Sequence, residues 1–162
     1  MGYTVTESML IAAPAAAAYA VIADYRRGHP AILPSQLKNL RVVGGPGVGA
    51  GTTITFESHM FGTVTRFRAE DTEPEPGRVL VETNSEPVPS VTTFTVEPAG
   101  TGARVTIATE FLAPRGGLRG RVERWVIART LPKMYRAEMR NLERHASRWT
   151  VPGENAGTQT AM

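Results

Sequence analysis

The 162 residues are enough for one well-buried domain and too few for two comfortable ones. Cysteine is absent, which excludes disulfides, a thiolate nucleophile and Cys-ligated zinc or iron–sulfur sites. Charged residues make up 20%, no apolar stretch approaches the roughly 18 residues of a membrane span, and the opening MGYTVTESML lacks the order of a secretory signal, so one cytoplasmic domain is expected.

Tyr3 to Ile11 is Thr/Val-rich and alternates, which predicts a strand. Pro14 suits the first turn of a helix, where its missing N–H costs nothing. Ala15 to Ala23 is then helical by propensity, with Tyr19, Val21 and Ile22 as its buried face. The stretch from Asp24 to Pro30 breaks that helix, and one further turn over 31–33 precedes Pro34. From residue 37 the period changes to two. Segments 37–43, 52–60, 63–71, 78–83, 91–97 and 103–111 each read as strands, punctuated by GGPGVGAG, Phe61-Gly62, EPEPG, EPVPS and PAGTG. Connections this short favour antiparallel hairpins over crossovers.

The alternation sets Ile54, Phe56, Ser58 and Met60 on one face, against Thr53, Thr55, Glu57 and His59. Phe94 and Val96 lie on one face of their strand, and Val105, Ile107, Thr109 and Phe111 on one face of theirs. In 63–71, Phe67 argues that Thr65, Phe67 and Ala69 face in and that Arg66 and Arg68 face out. One apolar face and one wet face describe a sheet covered on a single side. The cover is the last element. From about residue 118 to 149 the period becomes 3.6, and Val122, Trp125, Val126, Leu131, Tyr135, Met139, Leu142, Ala146 and Trp149 fall near one stripe. Pro132 is expected to bend this helix or split it in two. The order is strand, two short helices, six antiparallel strands and one long helix, an α+β domain over 1–149 with a flexible tail over 150–162.

Residues 14–25, PAAAAYAVIADY, with Pro30 and Pro34 after them, resemble the opening of START-like (SRPBCC) proteins. The Gly-rich GGPGVGAGT of 44–52 is similar to the loop of the birch-pollen-allergen branch, and EPEPGRVLVE and LPKMYRAEMRNLERHA fit the same plan. The nearest branch by this resemblance is the polyketide cyclase/dehydrase and lipid-transport group, with coenzyme-Q-binding relatives as a neighbour. The resemblance implies a helix-grip fold: about seven antiparallel strands wrapped around the long helix, with a hydrophobic cavity between them. It also implies a ligand such as a lipid, polyketide or quinone, or a cyclisation or dehydration reaction, without deciding among these.

Within that plan Phe56, Met60, Phe67, Phe94, Ile107 and Phe111 are the expected cavity lining from the sheet, and Met134 and Tyr135 from the helix. Ser58, Thr109 and Tyr135 are the polar candidates among apolar neighbours, able to orient a ligand by hydrogen bonds but weak as acids or bases. No catalytic residue is assigned. His29, His59 and His145 are read as surface or structural residues, since none pairs with another at metal-ligand spacing and no nucleophile-elbow motif is present. Neither a metal nor a cofactor is expected. Gly45-x-Gly47-x-x-Ala50 loosely matches a dinucleotide fingerprint, but it precedes a strand and not a helix, so it reads as a hairpin connection. In relatives such a loop borders the pocket mouth, which leaves gating as its functional alternative.

The formal charge of +3 is unevenly divided: 1–114 carries eight basic and eleven acidic side chains, whereas 115–148 carries ten basic and three acidic. The basic stripe reads first as the solvated face of the helix, and second as a patch for an acidic membrane surface. Such a patch implies liposome association that weakens steeply with salt. It lacks interleaved aromatics, so no nucleic-acid partner is expected. The leading expectation is therefore a binder of hydrophobic small molecules, monomeric or homodimeric. An aromatase/cyclase or dehydratase is the rival, and an interaction module built on the basic helix the third reading. A buried ionisable group in the cavity favours the enzyme, purely apolar walls the carrier, and a filled core the interaction module.

Overall fold

The computed structural model describes residues 2–149, so the expected tail over 150–162 lies outside the described residues. The elements run β1 (Tyr3–Ile11), α1 (Ala15–Ala23), α2 (Gly28–Ile32), β2 (Leu37–Gly44), β3 (Thr53–Met60), β4 (Thr63–Glu75), β5 (Val79–Asn84), β6 (Ser90–Ala99), β7 (Gly102–Phe111) and α3 (Gly117–Ala146). All seven strands form one antiparallel sheet in the order β1-β7-β6-β5-β4-β3-β2. Strands β2 to β7 follow one another as hairpins, and β1 returns to pair with β7. The helix-grip architecture is present as the resemblance implied.

Local chemistry explains the turns. Phe61 and Gly62 both have positive φ, 52° and 74°, and join Met60 to its partner Thr63 in a two-residue hairpin of the kind that matches the twist of the flanking strands. Asp24 ends α1 because its Oδ1 accepts the backbone N–H groups of Arg26 and Arg27 at 3.0 and 2.9 Å, an alternative to continuing the helix. The Gly-rich loop is then tied to this turn. Tyr25 N–H donates to Gly47 O, Gly49 N–H donates to Ala23 O, and Asp24 bridges Val48. Ala50 N–H also donates to Glu73 Oε2 at 2.9 Å. The second short helix starts at Gly28, three residues earlier than the turn expected at 31–33, so that His29 lies inside it.

The core is shared by α1, the inner face of the sheet and the second half of α3. Val21, Ile22, Ile54, Leu80, Val105, Met139 and Leu142 are almost fully enclosed. Helix α3 is one continuous element of 30 residues with Pro132 inside it, so the expected split does not occur. The proline removes one hydrogen bond, to the carbonyl of Ala128, and Ala128 is exposed, so water can satisfy the freed group. A second expectation is also corrected: Val122 and Trp125 do not share the packed stripe but remain 55% and 57% exposed. Ile127, which does face the sheet, stands two residues from Trp125, about 200° around the helix, so the two cannot share a face.

Candidate functional site

Between the sheet and α3 lies a cavity of about 220 Å³. Its walls follow from strand alternation. Phe56, Ser58 and Met60 project into it from β3, Phe94 from β6, and Ile107, Thr109 and Phe111 from β7. Phe67 arrives from β4, paired with Phe56, their rings stacked at 5.2 Å. Because Phe67 points in, the neighbouring Arg66 points out and is 84% exposed. Met134 and Tyr135 close the cavity from α3, so all ten candidates from the sequence line one space. The exposed Val88 and Glu123 mark where the lining meets solvent.

No residue of 44–52 lines the cavity. The hydrogen bonds of this glycine loop instead hold the α1–α2 turn, and that turn carries Tyr25 and His29. His59 lies outside the cavity, with Nε2 2.9 Å from Glu57 Oε2, and His145 packs against Trp149.

Of the two readings of His29, surface or structural, the first is excluded: it is 2% exposed and lines the cavity. Its ring stacks on Tyr25 at 4.7 Å and meets the Phe94 ring edge-on at 5.5 Å. Nδ1–H donates to Ile22 O at 2.7 Å, which fixes the tautomer and leaves the neutral ring's lone pair on Nε2. Nε2 stands 3.6 Å from Glu138 Oε1 and 3.8 Å from Glu82 Oε1, next to both carboxyl groups but beyond hydrogen-bond distance of either. Glu82 and Glu138 are 6% and 4% exposed.

A second layer stands behind this group. Tyr25 Oη donates to Glu82 Oε1 at 2.7 Å and lies 3.1 Å from Asp71 Oδ1. A phenol has one proton, so it cannot serve both carboxylates. Burial, reinforced by the charge of Glu82, pushes the Asp71 carboxyl up to about 8, and the Tyr25 hydroxyl 3.1 Å from its Oδ1 works against that rise. Burial likewise pushes Glu138 up to about 8, with the Glu82 charge adding to it, and Glu138 is a neutral acid at pH 7. Tyr25 is raised by burial and then by the charges of Glu82 and Asp71.

Apart from the exposed Glu123 at the rim, the rest of the polar lining is uncharged. Thr92 and Thr109 are hydrogen-bonded at 2.8 Å, and Thr109 continues the chain to Tyr135. Asn84 Nδ2 donates to Ser90 Oγ at 3.4 Å, while Asn84 Oδ1 is buried with no partner. Among the described residues no group of three His, Asp or Glu side chains is placed to hold a metal ion, so the cluster offers acid–base and hydrogen-bonding chemistry. His29, Glu82, Asn84 and Glu138 were missed from sequence, although two signals were there. Alternation from Leu80 puts Glu82 and Asn84 on the inner face, and Glu138 falls between Met134 and Leu142 on the buried stripe.

Comparison with known proteins agrees with this geometry. The family model described as polyketide cyclase / dehydrase and lipid transport matches residues 3–147. The KanY protein is similar in structure, with TM-score 0.78, 28% identity and coverage of 91% of this chain and 99% of that one. An aromatase/cyclase, Zhui, from Streptomyces sp. R1128 superposes with TM-score 0.71 at 13% identity, covering 91% and 95% of the two chains. A START superfamily protein from Mycobacterium smegmatis gives TM-score 0.69 at 12% identity, covering 91% and 99%. At those identities the last two show the fold alone. A search of curated proteins returns no match. With a family model spanning nearly the whole domain and a helix-grip structure beneath it, the chain belongs to the polyketide cyclase/dehydrase and lipid-transport family.

Proposed function

We propose that this chain binds a hydrophobic small molecule in the cavity between the sheet and α3. The observation that carries the reading is a single space of about 220 Å³, walled by aromatic and aliphatic side chains, with the buried carboxyl groups of Glu82 and Glu138 beside His29. Phe56, Met60, Phe67, Phe94, Ile107, Phe111 and Met134 would supply apolar burial at about 25 cal/mol per Å². Ser58, Thr109 and Tyr135 would fix orientation. The volume lies below the roughly 300–1,000 Å³ of drug-sized sites, so the ligand is compact.

A second reading, turnover by a dehydratase or cyclase, is favoured by one specific observation: the buried Glu138, its carboxyl pushed up to about 8, stands 3.6 Å from the Nε2 of His29 at the cavity wall. Such a pair suits loss of water from a β-hydroxy carbonyl compound. His29 Nε2 would take the proton from carbon, that bond's electrons would form the double bond, and Glu138 would protonate the hydroxyl leaving as water. The cavity itself counts against the interaction-module reading, which called for a filled core.

Native mass spectrometry of freshly purified protein, followed by solvent extraction, tests both. A stoichiometric apolar molecule is the result expected of a carrier. A clean apo mass with saturable uptake of naphthalene would shift the balance to turnover, and neither bound molecule nor uptake would overturn the cavity reading.

A further inference from the structure

The cavity has an unusual balance of charge for a site that takes amphiphiles. Among the described residues, His29, Glu82, Glu123 and Glu138 are its ionisable lining residues apart from the Tyr135 phenol, and no Lys or Arg lines it. A free carboxylate or phosphate head entering this space would meet buried carboxyl groups and no cation. Fatty acids and phosphorylated lipids are therefore poor matches.

The hydrogen-bonding capacity at the same wall is directional. Asn84 is 5% exposed, one of its two amide N–H groups is donated to Ser90, and its carbonyl oxygen has no partner. Buried polar groups in folded proteins are almost always satisfied, so an orphaned acceptor on a cavity wall is a place for a ligand's donor. Across β6 and β7, Thr92, Thr109 and Tyr135 form a chain of three hydroxyls joined by two contacts. Two protons make the two bonds and the third is left over, free to be donated. Ser90 and Thr92 are two apart on β6 and share its inner face, which joins this chain to Asn84. This stretch of wall thus holds an acceptor in want of a proton, Asn84 Oδ1, close to a proton in want of an acceptor in the hydroxyl chain. A hydroxyl group is both.

We propose that the ligand is a neutral hydroxylated compound, a phenol or alcohol, whose O–H donates to Asn84 Oδ1, and that the site rejects a free carboxylate. This rests on the reading of the cavity as a ligand site and adds the chemical class. An alkylammonium group would satisfy the acceptors and the carboxyls, but it has nothing to receive the spare hydroxyl proton.

The test is a calorimetric titration of the intact protein at pH 7 with four probes of one shape: naphthalene, 2-naphthol, 2-naphthoate and 2-(aminomethyl)naphthalene. The naphthol is expected to bind at least tenfold tighter than naphthalene and at least tenfold tighter than the naphthoate. Asn84→Leu, its fold checked by circular dichroism, should lower naphthol affinity at least fivefold and narrow its advantage over naphthalene. Naphthol binding no better than naphthalene, or tightest binding by the naphthoate or the amine, would overturn the assigned class while leaving the cavity reading intact. Failure of all four probes would overturn both. The wild-type series decides without the variant, should Asn84→Leu not fold.

Discussion

Glu138 shows how one buried residue can couple the site to the stability of the fold. Burial first, and the charge of Glu82 second, move its carboxyl from 4.5 to about 8. The groups that face it are His29 from α2 and Glu82 from β5, and Tyr135 lies one turn away on its own helix. A folded chain that keeps a proton which the unfolded chain releases loses stability as pH rises between those two values. Asp71, moved from 3.8 to about 8, acts in the same direction. We expect Tm to fall as pH is raised from 5 to 8.5, and the slope to be shallower in Glu138→Gln. Melting curves across that range check this; a wild-type Tm that rises with pH, or a variant with an unchanged slope, would place the proton elsewhere. Tyr25 is the residue that makes the arrangement tolerable, since its phenol lies between the carboxyls of Asp71 and Glu82.

Helix α3 does two jobs along its length. Its second half is core: Met139 and Leu142 are 0% and 1% exposed. Its first half closes over the cavity, showing Ile127 to the interior and Leu118, Val122 and Trp125 to solvent. Several of its basic residues are engaged within the domain: Arg124 lies over Tyr3 at 4.7 Å, Arg129 over Trp125 at 4.4 Å, Arg136 pairs with Glu7 at 3.2 Å, and Arg144 donates to Asn141 Oδ1. The two halves should respond differently to truncation. Leu142→Ala is expected to cost about 2–5 kcal/mol, the range for an enclosed leucine. Leu118→Ala, at a position 78% exposed, should stay within about 0.5 kcal/mol of wild type. Urea melts of the two variants check the contrast, and equal losses would contradict this placement of the helix.

At the scale of the whole molecule, the site exists because the sheet is covered on one face and the cover does not fill the space beneath it. Phe56, Phe67, Phe94 and Ile107 stand around a gap where a solid core would place further side chains. Filling the gap should therefore remove binding without dismantling the fold. Ser58, which lines the space from β3, is the position for this. Ser58→Phe is expected to weaken naphthalene binding at least tenfold while Tm changes by no more than a few degrees. Titration and a melt on the same sample check it, and full affinity in the variant would locate the binding elsewhere.

Much of this was legible in the residues alone. The bounds of β1 and α1, the hairpin succession and the inward faces of β3, β6 and β7 all follow from period two, period 3.6 and turn residues, which are local properties of the chain. The ten expected lining residues share one cavity for the same reason: on a half-covered sheet, alternation says which side chains face the cover. The acid cluster is of another kind. Tyr25, His29, Asp71, Glu82 and Glu138 come from the α1–α2 turn, α2, β4, β5 and α3, and no spacing relates them. Glu82 and Glu138 could be assigned to inward faces, but their proximity to His29, and the shared burial that keeps Asp71 and Glu138 protonated, arise only when the sheet and helix close around the turn. Periodicity is written into the chain residue by residue; a buried charge and its partners are decided by which distant segments the fold brings together.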